Sequence, residues 1–87
     1  MPEQIDIQIG RRLRVRRRLL NLTQQQLAGA CGVGFQMVQK YECGACRMSA
    51  SRLWQLSRVL GVGVGYFYEG MLPPPKASAD EAAGARV

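Results

Sequence analysis

Apolar residues along this chain recur at helical spacing, in short runs broken by glycine or asparagine. Ile9, Leu13 and Leu20 share one narrow sector, which predicts a helix capped by Asp6 and running to about Leu20. Arg17 lies at the edge of that sector and Arg16 close to it, whereas Arg11, Arg14 and Arg18 point away. Asn21 follows, a residue that tolerates the left-handed conformation found at helix ends. Leu27, Ala28 and Cys31 form the inner face of a second helix. Thr23 opens it, and Gln26 at the third helical position completes a capping box. Gly32 ends it and supplies a positive φ for the turn, after which Val33 tucks inward. A third helix is expected from Gly34 to about Glu42, with Gly34, Met37, Val38 and Tyr41 toward the core. After a loop over residues 43–48, Ser49 or Ser51 caps a fourth helix that turns Leu53, Leu56 and Leu60 inward and stops at Gly61. A last short helix covers about Val64 to Glu69, with Phe67 inward and Gly70 at its end.

The predicted fold is all-α, a compact five-helix domain over residues 5–70. Residues 71–87 differ: Pro73, Pro74 and Pro75 exclude helix, and the small, neutral residues after them lack apolar surface, so a disordered tail is expected. No internal repeat is visible.

The stretch from Thr23 to Gly44 sets two short helices about a glycine turn and leaves the polar and bulky residues of the second on an outer face. That is the layout of a helix-turn-helix, which lays one helix in the DNA major groove. The outer face of the third helix carries Phe35, Gln36, Gln39 and Lys40. Gln pairs with adenine N6 and N7, Lys reaches guanine O6 and N7 or a phosphate, and Phe packs on a thymine methyl. A face of Gln and Lys alone is also what any solvated helix shows; Phe35 is the residue that solvation does not explain.

Charge sharpens this picture. The chain carries a net charge of +6, from twelve basic and six acidic residues. Ten basic and four acidic residues lie before position 71, so the positive field belongs to the folded part, as a polyanion-binding surface requires. The N-terminal residues lack a signal-peptide pattern, and no apolar run is long enough to span a bilayer. A cytoplasmic protein is expected, with no membrane partner. Three cysteines and no histidine argue against a disulfide-stapled secreted domain and against a structural zinc site. The Cys43-x-x-Cys46 spacing invites a redox reading, since a disulfide there would distort the loop before Arg47, but ordinary loop cysteines are the default. No catalytic residues, metal or cofactor are expected: there is no histidine, nucleotide loop or paired carboxylate in a plausible pocket.

Residues Ile9 to Gly70 resemble the lambda repressor/Cro-type (XRE) helix-turn-helix regulators of bacteria and phages. The resemblance is carried by Gly10-Arg11-Arg12-Leu13, Arg17, Thr23-Gln24, Leu27-Ala28, Gly32-Val33, Val38, Tyr41-Glu42, Gly44, Leu53, Leu56 and Leu60-Gly61-Val62. It implies that Phe35, Gln36 and Lys40 read bases, with Gln39 on the same face. It also implies that Gln24 bonds a DNA phosphate, that Arg47 sits in a backbone-touching loop, and that Arg17 and Glu42 form a structural ion pair. The arginine cluster at residues 11–18 either contacts phosphates beside the recognition helix, with Arg12 and Arg16 as candidates, or is a solvated basic face. Gly34 and Gly63 stand where the family often has Ser or Thr, which weakens two caps.

The leading expectation is a sequence-specific transcriptional regulator that binds double-stranded DNA as a homodimer on a two-fold operator. One alternative is the antitoxin of a toxin–antitoxin pair, with a toxin held on the tail or the Trp54 surface. The other is a basic module for RNA or an anionic membrane.

Overall fold

A computed structural model describes residues 3–71. Four α-helices follow in order: α1 (Gln4–Leu19), α2 (Gln24–Cys31), α3 (Phe35–Glu42) and α4 (Ala50–Leu60). The fifth element, Val64–Tyr68, is a 3-10 segment rather than an α-helix. Gly63 gives it no side-chain cap and Gly65 disfavours helix, so a stretch this short closes only tight i→i+3 turns. The expected tail lies outside the described residues except for Met71, which is half-buried against the core.

Local sequence explains the helix ends. The Thr23 hydroxyl accepts from the Gln26 amide at 3.0 Å, and the Gln26 side chain accepts from the Thr23 amide at 2.8 Å. Gly32 takes φ +71° at the end of α2. Of the two serines proposed for α4, Ser49 is the cap, accepting from the Arg52 amide at 3.1 Å. The start of α1 departs from expectation: Glu3 is the N-cap and makes no side-chain cap bond, while Asp6 lies inside the first turn. There its carboxylate still suits the positive end of the helix and accepts from Arg47 Nε at 3.2 Å.

Leu13, Leu27, Val38, Leu56, Leu60 and Phe67 are fully buried and draw one side chain or more from every element. α1 packs on α3 and on the 3-10 segment, and α2 packs on α3 and α4. The α1–α3 crossing depends on Gly10. A Cβ there would collide with the carbonyl oxygen of Tyr41 and lie 2.7 Å from that of Glu42. Two residues expected to face the core do not: Gly34 is the exposed N-cap of α3, and Met37 is exposed on its surface, whereas Glu42 is buried with Arg17.

Candidate nucleic-acid interface

The outer face of α3 centres on Gln36, with Gln39 and Lys40 beside it, all three exposed. Phe35 and Met37, at 36% and 37% exposure, border it on either side. Among the described residues the side chains of Gln36, Gln39 and Lys40 form no hydrogen bond or ion pair. The face therefore offers donors, acceptors and two soft apolar groups, the requirements for reading base edges. Spacing alone predicts Met37 toward the core. It lies one residue from Gln36, at the boundary of an eight-residue helix where periodicity alone cannot choose a side.

A buried polar cluster fixes the position of this helix. Arg17 Nε donates to Glu42 Oε2 at 2.5 Å, and Arg17 Nη2 donates to Oε1 at 3.0 Å. A third donor, Nη1, reaches the Leu22 carbonyl at 2.8 Å. The side chains of Arg17 and Glu42 are only 10% and 4% exposed. Gln24 Nε2 donates to Glu42 Oε1 at 3.0 Å, so the same carboxylate orients the first residue of α2. The end of α1, the start of α2 and the end of α3 are thus joined through one carboxylate.

The arginines of α1 divide by helix face. Arg12 Nε donates to the Tyr66 carbonyl at 3.2 Å and its Nη2 to Glu69 Oε1 at 2.7 Å. Its guanidinium lies 4.1 Å from the Tyr66 ring centre, and the Tyr66 hydroxyl donates to the Arg12 carbonyl at 3.2 Å. Arg16 Nε donates to the Leu60 carbonyl at 2.9 Å. Both side chains make bonds inside the domain, where they clasp α1 to the end of α4 and the 3-10 segment. Arg47 is largely exposed and keeps a single partner, Asp6. Arg11, Arg14 and Arg18 are exposed.

All three cysteines are free: Cys31 buried, Cys43 exposed and Cys46 half-buried. Burial pushes the Cys31 thiol up from its ordinary value, against the opposing charge of Arg52. Among the described residues no group of side chains could hold a metal ion, and no helix is long and apolar enough to cross a membrane. Trp54 is 53% exposed, with the Arg58 guanidinium 5.0 Å from its ring centre.

Residues 13–67 match the model of the helix-turn-helix family HTH_3, and the chain belongs to that family of Cro/C1-type DNA-binding transcriptional regulators. An uncharacterised HTH-type transcriptional regulator of Sinorhizobium medicae is 46% identical over 68 residues, covering 78% of this chain and 49% of that protein. The chain spans about half the length of the curated relatives it matches first. Among solved structures, the restriction-modification controller protein C.AhdI of Aeromonas hydrophila superposes with a TM-score of 0.68 at 26% identity, over 70% of this chain and 92% of that one. SinR, a master regulator for biofilm formation solved in complex with DNA, superposes with a TM-score of 0.66 at 26% identity, over 70% and 98%.

Proposed function

We propose that residues 5–70 form a sequence-specific DNA-binding domain that regulates transcription as a homodimer on a two-fold operator, with α3 in the major groove. The observation that carries this reading is the unbonded outer face of α3, held in place by the buried Arg17–Glu42 pair. Gln36, Gln39 and Lys40 contact base edges, and Phe35 and Met37 pack on thymine methyls. Gln24, oriented by Glu42, and Arg47, in the loop after α3, bond phosphates and set the register. The complex of SinR with DNA supports this use of the fold. An α3 of eight residues reads only a few base pairs, so two copies on half-sites about 34 Å apart give a site of useful length. The protein works in the cytoplasm, on the nucleoid.

Fluorescence anisotropy against duplex DNA, single-stranded RNA and anionic vesicles, each over a salt series, tests the choice of partner. Duplex DNA should bind best and weaken steeply with salt. Duplex binding no tighter than RNA or vesicles would overturn the reading in favour of a general basic module.

A further inference from the structure

The basic residues of the domain are not equally available. Between Asp6 and Glu42 the sequence contains no carboxylate, yet it holds six arginines and Lys40. Three of the four carboxylates among residues 3–71 are taken: Asp6 by Arg47, Glu42 by Arg17 and Glu69 by Arg12. Arg16 is bonded to the Leu60 carbonyl, Arg52 to the Cys31 carbonyl and Gln55, and Arg58 lies over Trp54. Among the described residues this leaves four basic side chains with no intramolecular partner. One is Lys40, on the outer face of α3. The others are Arg11, Arg14 and Arg18, all exposed.

These three arginines form one strip. At 100° per residue they fall within about 60° of arc along α1. Ile7 shares that arc, and it packs against Gly44 in the loop that leaves α3: a Cβ on Gly44 would lie 2.8 Å from Ile7 Cγ1. The neighbouring arc holds Gly10 and Arg17, which face α3 directly. The strip therefore runs along the α3 flank of α1. It is turned away from the face where Arg12 clasps the 3-10 segment and Arg16 the end of α4. A row of uncompensated guanidinium groups one helix over from the base-reading face fits a line of phosphates, because Arg binds phosphate oxygens as a fork of donors.

We infer that Arg11, Arg14 and Arg18 form a second DNA-backbone contact that engages phosphates flanking the base pairs read by α3. This rests on the reading of α3 above and adds a contact that neither the turn nor the recognition helix supplies. It contributes affinity without base preference, since phosphates carry no sequence.

The test compares the full chain with two triple variants, Arg11→Gln/Arg14→Gln/Arg18→Gln and the corresponding three Arg→Lys substitutions, on a duplex selected by the wild-type protein. Each phosphate neutralised contributes about 0.9 to the log–log salt slope. The glutamine variant should therefore show a slope shallower by roughly 2 to 3 per protomer, with its base preference unchanged. The lysine variant should keep most of the slope, and matching thermal transitions show that both fold. An unchanged slope in a glutamine variant that still selects its site overturns this inference alone. A wild-type protein that selects no duplex overturns the reading of α3, and this inference with it.

Discussion

Glu42 is buried at the end of α3 because Arg17 reaches across from α1 to meet it with two donors, at 2.5 and 3.0 Å. The carboxylate has no exposure to spare, and its remaining capacity serves Gln24 at the start of α2. One residue at the end of α3 therefore sets the relation of three helices. The side chains on the front inherit their placement from it.

Removing one partner of this pair should cost far more than removing both. Glu42→Leu leaves a buried guanidinium without its counter-charge, a loss of about 3–5 kcal/mol. The double variant Arg17→Met/Glu42→Leu should lose much less than the sum of the two single losses. Urea unfolding of the four proteins measures this; a Glu42→Leu cost under about 1 kcal/mol would mean the pair behaves like an exposed one.

Two glycines should respond to alanine in opposite directions. At Gly10 the new methyl meets the Tyr41 and Glu42 carbonyl oxygens, so Gly10→Ala should destabilise by about 1–3 kcal/mol as α1 and α3 are pushed apart. At Gly29, inside α2, nothing lies within 4 Å of the added Cβ. Gly29→Ala should stabilise by up to about 1 kcal/mol through helix propensity. The unfolding midpoints of the two variants check both signs.

Much of this architecture is legible in the sequence because local chemistry and packing agree. Thr23, Gln26 and Gly32 mark both ends of α2 through backbone requirements that tertiary structure did not alter. Leu53, Leu56 and Leu60 show the buried face of α4 by spacing alone. The departures occur where a distant partner decides. Glu42 is buried against Arg17 as the family resemblance implies, although the helical spacing of α3 alone does not put it on the core face. Met37 is apolar and nevertheless exposed, because no other element covers that edge of α3. The internal partners of Arg12 and Arg16 become visible only when the 3-10 segment and the end of α4 fold back onto α1. Gly10 can be read only once the carbonyl groups of α3 are placed against it.

Alkaline pH should weaken the fold through Cys31. Burial raises its thiol in the folded state, so the native protein favours the protonated form. That contribution is complete below the ordinary thiol value of 9.0 and is lost as pH rises through the higher folded value. Stability of the wild-type protein should therefore fall as pH rises into the alkaline range. Cys31→Ala, less stable at neutral pH because of the space it leaves, should show a smaller alkaline decline. Thiol labelling should also modify exposed Cys43 well before Cys31.

The most direct test of the account is selection of duplexes from a random library by the wild-type protein, Gln36→Ala and Gln24→Ala. The wild-type protein should enrich a two-fold symmetric site. Gln36→Ala should bind the same library with relaxed preference at one position in each half-site, and Gln24→Ala should enrich the wild-type site with uniformly lower affinity. A wild-type protein that enriches no sequence, or a Gln36→Ala variant that recovers the wild-type site unchanged, would contradict the assignment of α3 as the helix that reads DNA.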